Sequence, residues 1–158
     1  MDHGTATRDC QRNRQAGYSL AEVLTAVMVT AMVSATAVPN LTSFVRQYQL
    51  LRAAHQIAFE VSRARMKAVG ENAFMRLRLG SNGPGEYWLE RSNDGVTYAL
   101  DGAVLTVPGS VSMRQLTSQP VTFNRQGLAS APVTYQLTNT RAQTKTVQVN
   151  VLGRVDIQ

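Results

Sequence analysis

The chain divides into four stretches by the spacing of its apolar and polar residues. Residues 1–17 are polar and have no hydrophobic period, so they predict no folded element. Residues 18–38 are almost continuously apolar, residues 39–70 repeat apolar positions every three or four residues, and residues 71–158 alternate them. This order predicts an α+β protein in which a long N-terminal helix packs on an antiparallel β domain.

The helical repeat is clearest in the second half of the predicted helix. Between Asn40 and Val69 the chain has neither Pro nor Gly. We expect one apolar stripe of this segment to cover the core of the domain. Gly70 and Asn72 predict the end of the helix, and Pro39 predicts a kink or a local break. The stripe consists of Leu50, Ala54, Ile57, Val61, Ala64 and Ala68.

After Gly70 the apolar period changes to two, which is typical of strands with one wet face. Asn93-Asp94-Gly95 is a strong hairpin signal, and Gly127, which follows a predicted strand, suits a turn with positive φ. The predicted strands are Phe74–Leu79, Glu86–Arg91, Val96–Leu100, Val104–Val107, Val111–Leu116, Val121–Asn124, Val133–Thr138 and Thr144–Leu152.

The apolar run Tyr18–Val38 has three interpretations. It has the roughly 20 residues that a helix needs to cross a bilayer, so it can be a plain membrane anchor. It can be a secretory signal peptide, because Ala35-Thr36-Ala37 is a small-residue cleavage site. It can also be a segment that is cut at its start, after Gly17, and kept. Arginines in residues 1–17 predict that this flank stays in the cytoplasm and that the rest of the chain lies outside.

Glu22 distinguishes these interpretations. It is the only charged residue between Arg14 and Arg46, and a carboxylate in an apolar segment costs about 2.5–3.5 kcal/mol on insertion scales. A signal peptide has no use for it. A cut after Gly17 creates a new amine on Tyr18, and in an assembly the amine of one subunit can neutralise Glu22 of its neighbour. Glu22 therefore favours the third interpretation.

Gly17 to Leu24, with the sequence GYSLAEVL, resembles the type IV prepilin signature. Pro39 stands at the distance from the cut at which pilins and pseudopilins commonly have a proline. The resemblance implies cleavage after Gly17 and N-methylation of Tyr18 by a prepilin peptidase, followed by filament assembly through Glu22 and Pro39. It also implies other pilins and an inner-membrane assembly platform as partners.

Two further segments narrow the resemblance. Ser62-Arg63-Ala64-Arg65 and Phe123-Asn124-Arg125-Gln126-Gly127 are similar to elements of the GspH/FimT family of minor pilins and pseudopilins. Membership implies a single-pass protein of the bacterial inner membrane with its globular domain in the periplasm or outside the cell. It would be assembled into a type IV pilus or a type II secretion pseudopilus.

Some members of this family bind DNA during natural transformation through a C-terminal Gly-Arg-x-Arg motif. This chain has Gly153-Arg154-Val155-Asp156, in which Gly153 and Arg154 match and an acid replaces the second arginine. Arg141 and Lys145, in a predicted hairpin loop, could add phosphate contacts, and the formal net charge of +6 would favour them. No aromatic residue is interleaved with these cations to stack on bases. DNA binding is thus an alternative function.

The sequence has little material for catalysis. It contains no Gly-rich phosphate loop, no metal-ligand spacing and no nucleophile elbow. Its histidines are His3 and His55, and its lone cysteine, Cys10, precedes the apolar run. We therefore expect no catalytic, metal or cofactor-binding residues and no enzymatic activity.

Processing separates the interpretations. The mass of the mature protein is expected to correspond to loss of residues 1–17 and gain of one methyl group. Intact-mass spectrometry of protein extracted from membranes makes the measurement. Loss of residues 1–37 instead would identify a secreted β protein and contradict the pilin interpretation.

Overall fold

The computed structural model describes residues 18–80 and 85–158, without the side chains of residues 36 and 38–40. The predicted leader 1–17, with His3, Cys10 and Gly17, lies outside the described residues. Contacts divide the chain into two units, one that ends at Asn40 and one that comprises Leu41–Gln158. The predicted α+β class, with a long helix and antiparallel β sheets, is confirmed.

Helix α1 is Leu20–Gly70. It passes through Pro39 without interruption, so the local break, one of the two effects expected there, does not occur; a proline removes only one backbone donor and its neighbours keep theirs. The helix ends as predicted. Asn72 has a φ of 50°, and the Ala73 amide donates to the Ala68 carbonyl at 3.1 Å, which is the Schellman arrangement.

Nine strands follow in the described part of the chain, and all pairings between them are antiparallel. One sheet has the order β3-β2-β1-β6 with β4 also paired to β2, and the second has the order β5-β7-β8-β9. The strands are β1 Phe74–Leu79, β2 Glu86–Ser92, β3 Ala99–Leu100, β4 Leu105–Thr106, β5 Val111–Gln115, β6 Thr122–Phe123, β7 Val133–Asn139, β8 Thr144–Val149 and β9 Val155–Ile157.

The predicted strand Val96–Leu100 is largely wrong, because only Ala99–Leu100 joins the sheet. The carboxylate of Asp94 accepts hydrogen bonds from the backbone amides of Val96 and Thr97, both at 2.9 Å. These bonds hold the start of the predicted strand in a loop. A hydrogen bond from the Ser92 hydroxyl, together with these two backbone bonds, lowers the pKa of Asp94 below its ordinary value.

The predicted strand Thr144–Leu152 is too long. Strand β8 ends at Val149, and Asn150 begins a turn in which its side-chain oxygen accepts the Arg154 amide at 2.9 Å. Gly153 closes the turn with a φ of +74°. The chain then returns as β9, which the sequence analysis did not predict.

The core lies between the second half of α1 and both sheets. All six positions of the predicted helical stripe are buried, together with Ala53. Inward side chains alternate along the strands, as in β1, where Met75 and Leu77 are buried and Arg78 is exposed. Because each large apolar side chain that is fully buried contributes about 1.5–3 kcal/mol, this stripe anchors the helix to the sheets.

Glu90 organises the outer face of the first sheet. Its carboxylate accepts hydrogen bonds from the Trp88 indole, at 2.8 Å, and from Arg76, which lies opposite it on β1. The Arg76 guanidinium also stacks on the Tyr98 ring, 3.8 Å from its centroid. Burial acts to raise the pKa of Glu90, but the hydrogen bonds from Trp88 and Arg76 and the charges of Arg76 and Arg78 outweigh it, so the pKa is lowered.

This lowered pKa makes part of the stability depend on pH. A carboxyl whose folded pKa lies below its ordinary value of 4.5 stabilises the fold above that value and loses the contribution as the pH falls through the folded pKa. Glu90→Gln is expected to lower the free energy of unfolding at pH 7 by about 1–3 kcal/mol, and the difference from wild type should shrink at pH 3. Urea unfolding at the two pH values measures it.

Glu86→Gln is the matched control, because Glu86 lies on the same strand and has no ion pair within residues 18–80 and 85–158. A difference for Glu90→Gln that is the same at both pH values would contradict this account of Glu90.

Candidate assembly surface

The segment at the start of α1 exposes its apolar side chains. Every side chain described from Tyr18 to Ala35 is exposed in the isolated chain. The large apolar ones are Tyr18, Leu20, Val23, Leu24, Val27, Met28, Val29, Met32 and Val33, and they are 50–83% exposed. A helix that is apolar all round is normally buried in a membrane or among other helices.

In the part of the chain that the structure describes, no helical stretch is both long enough and apolar enough to cross a membrane.

Glu22 lies in the first turn of α1. The Ser19 carbonyl accepts the amides of Glu22 and Val23 at 3.0 and 3.2 Å, which places Ser19 at the N-cap and Glu22 at the third helical position. An acid there is favourable because the helix N-terminus carries partial positive charge. Glu22 therefore stabilises the start of the helix locally, a role that sequence reasoning missed although Ser-x-x-Glu is its signal.

The structure gives little information on Gly17 and Pro39, two of the predicted assembly residues. Gly17 lies outside the described residues, and Tyr18 next to it is 83% exposed. Pro39 lies within α1, and its side chain is outside the description.

The predicted DNA-binding cations do not form one patch. Arg141 lies in the turn between β7 and β8, and Lys145 lies at the start of β8. Arg154 lies beyond the other end of β8, opposite Asn150. Five residue-to-residue steps along extended chain, or about 17 Å, separate Lys145 from Asn150.

Arg154 is also paired within its own strand region. Its Nε lies 3.4 Å from the Asp156 carboxylate, and both side chains are more than half exposed. This is the acid that replaces the second arginine of the motif. Arg125, a cation of the Phe123–Gly127 segment, donates to the Asn93 carbonyl at 2.6 Å and stacks over the Phe74 ring at 5.3 Å. These contacts explain both arginines without a ligand.

The structure explains why a glycine is required at position 153. Its φ is +74°, and it is buried against a second glycine turn. A methyl group at Gly153 would lie 2.8 Å from the Gly127 carbonyl oxygen and 2.9 Å from Arg65. Gly127 has a φ of +75°, as the sequence predicted. The two glycines allow the turn after β6 and the turn after β8 to touch.

Arg65 joins these two turns to the helix. Its Nε donates to the Gly127 carbonyl at 3.1 Å, and its Nη1 donates to the Gly153 carbonyl at 3.4 Å. In the sequence, Arg65 stands out only as part of the segment Ser62-Arg63-Ala64-Arg65, which resembles the GspH/FimT family. The signal for its role is an arginine directly after Ala64, beside the buried stripe.

The chain is similar to known proteins in sequence and in fold. No family model matches the chain. It is 27% identical over 154 residues to the pilin-like protein PilA1 of Thermus thermophilus, a match that covers 90% of this chain and 97% of that protein. Its fold is similar to that of the type IV minor pilin FimU of Pseudomonas aeruginosa, with a TM-score of 0.60 and 12% identity. The chain is thus similar to pilin-like proteins. The FimU match covers 73% of it and 92% of the FimU structure.

A second similar structure belongs to a secretion machine. The minor pseudopilin EpsH of the type II secretion system of Vibrio cholerae matches this chain with a TM-score of 0.58 and 8% identity, over 70% of this chain and 96% of that structure. The resemblance to minor pilins and pseudopilins inferred from the sequence is thus confirmed. Within the described residues no group of His, Cys, Asp and Glu could hold a metal ion.

The contact between the glycine turns can be tested by substitution. Gly153→Ala is expected to lower the free energy of unfolding by more than about 2 kcal/mol, because it adds a steric clash to the cost of positive φ. Gly102→Ala is the matched control, since Gly102 has a φ of +97° but open space around it; it should lose about 1 kcal/mol. Urea unfolding of the detergent-solubilised chain compares them. Equal losses would show that the contact contributes nothing.

Proposed function

We propose that this pilin-like protein is a minor pilin or pseudopilin subunit that assembles into a type IV pilus or a type II secretion pseudopilus. It enters the bacterial inner membrane through Tyr18–Val38, with its N-terminus in the cytoplasm and its β domain outside. A prepilin peptidase cuts after Gly17 and methylates Tyr18. An inner-membrane platform then moves the helix from the membrane into a filament of other pilins.

The exposed apolar segment carries this proposal. Side chains from Tyr18 to Ala35 are exposed in the isolated chain, and the first residue of the buried core along the chain is Leu50. Apolar surface left in water costs about 25 cal/mol for each Å², so a surface of this extent needs lipid or other helices around it. A subunit that passes from membrane to filament meets both needs in turn.

Glu22 gives the assembly its register. The carboxylate is the only charge in the segment, and its burial without a partner is unfavourable by several kcal/mol. The protonated amine of Tyr18 on a neighbouring subunit supplies the partner once Gly17 has been removed. Only the correct stagger between subunits brings the two charges together, so the penalty of burial selects that stagger.

The other interpretations account for less of the molecule. Cleavage after Ala37 would discard Glu22 and the exposed segment. DNA binding would need Arg141, Lys145 and Arg154 to act together, although β8 separates them. The proposed role is therefore assembly, with other pilins, the peptidase and the platform as partners, and not catalysis.

Three variants of Glu22 separate its charge from its role at the helix start. Glu22→Gln keeps a capping-box residue but removes the charge, Glu22→Asp keeps the charge, and Glu22→Ala removes both. All three are expected to be inserted and cut. Gln and Ala variants should lose most of their incorporation into filaments, and the Asp variant should retain part of it. Immunoblots of sheared filaments and of membranes measure incorporation.

Normal incorporation of Glu22→Gln would contradict the proposed pairing with Tyr18, because the helix cap would then be the whole function of this side chain. Failure of cleavage in all three variants would contradict the separation of processing from assembly.

A further inference from the structure

The second half of α1 has a further apolar face that its own domain leaves uncovered. We call this face the outer stripe, and its members are Leu41, Phe44, Tyr48, Leu51, Phe59 and Met66. Each is 41–65% exposed. They follow the helical repeat at spacings of three and four residues or their sums, with His55 and Ser62 in the intervening positions.

The outer stripe lies opposite the buried stripe. At 100° per residue, Phe59 is about 200° from Ile57, and Tyr48 is about 200° from Leu50. Ile57 and Leu50 contact the sheets, so Phe59 and Tyr48 face away from them. A helix that only covers a domain has one apolar face. Two opposite apolar faces indicate that the outer one is covered by something else.

One edge of the outer stripe carries positive charge. Arg52 and Arg63 lie along one edge, and both are exposed. The only acid of α1 after Leu41 is Glu60, which is 6% exposed and lies 3.2 Å from Arg63. Arg52 makes no hydrogen bond or ion pair with any residue that the structure describes. The surface beside the stripe thus presents cations and no exposed carboxylate.

This charge pattern limits what can cover the stripe. A second copy packed stripe to stripe would bring Arg52 and Arg63 of one chain near those of the other, which is unfavourable. An apolar helix with carboxylates along its edge would bury the same side chains, pair with Arg52 and give Arg63 a second carboxylate beside Glu60. From Leu41 to Met66 the helix offers about seven turns for such packing.

We propose that the outer stripe docks an apolar helix edged with carboxylates that belongs to a different protein chain, and that Arg52 and Arg63 select this partner over a second copy. The proposal rests on the proposed function in one respect, because the partner would be another subunit of the filament. Burial of the outer stripe and attraction between its arginines and carboxylates would place a minor subunit beside a different subunit.

Two synthetic helical peptides test the proposal. They share one leucine stripe and one photo-crosslinking residue and differ only in edge residues, which are Glu in one and Lys in the other. The full chain in detergent micelles is irradiated with each, and mass spectrometry gives the crosslinked position and yield. We expect crosslinks at the outer stripe and about tenfold tighter binding of the Glu-edged peptide, since Arg52 and Arg63 attract Glu at its edge and repel Lys.

Variants assign the preference to named residues. Arg52→Glu, at an exposed position, should remove most of the preference for the Glu-edged peptide. Phe59→Ser together with Met66→Ser should abolish crosslinking of both peptides. Val96→Ser is the matched control, because Val96 is 82% exposed but lies in the β2–β3 loop, and it should change nothing.

Equal binding of the two peptides would overturn the proposal, as would unchanged binding to the Phe59 and Met66 variant. Self-association of the full chain through the outer stripe that is as tight as its binding of the Glu-edged peptide would also overturn it, because a second copy would then be the occupant. None of these results depends on processing or on Glu22, so the proposed function would stand or fall separately.

Discussion

Helix α1 carries more apolar surface than its own chain can bury, and the organisation of the protein depends on this imbalance. One stripe, from Leu50 to Ala68, is covered by the two sheets. The large apolar side chains described in the first half are 50–83% exposed. Burial of the first stripe makes a stable domain, and exposure of the remainder makes a subunit that has to associate. Stability and assembly thus use different parts of one helix.

The packing of the sheets against the helix depends on close backbone contacts as well as on apolar burial. Arg65 donates to carbonyls of two turns, one beside each sheet. Those turns approach each other only because Gly127 and Gly153 have no side chains. The motifs around Arg65, Gly127 and Gly153 are distant in the chain, yet they are parts of one junction. Their contacts in this junction are sufficient to explain why Arg65, Gly127 and Gly153 occur at these positions.

Charges in this protein are used mostly in local pairs. Glu90 holds Arg76, Asp101 holds Lys67 at 2.5 Å, and Asp156 holds Arg154. The net charge of +6 already subtracts these paired acids, so it counts only the excess of cations. Glu22, in an apolar surrounding, and Arg52, at the edge of an apolar stripe, are placed where a protein partner would meet them. Their positions agree with association between helices.

The sequence by itself determined the α+β class, the buried stripe of α1, the end of the helix at Gly70 and the strand cores, because each depends on periodicity or on turn residues close together in the chain. It did not determine that the amides of Val96 and Thr97 bind the Asp94 carboxylate and lie outside the sheet. It also did not determine that a turn at Gly153 separates β8 from β9. Nor did it show that Arg65 binds two turns 62 and 88 residues away, or that β8 separates Lys145 from Arg154. Only the tertiary structure decided these points, because hydrogen bonds and steric contacts between distant segments compete with local preference and leave no period in the sequence.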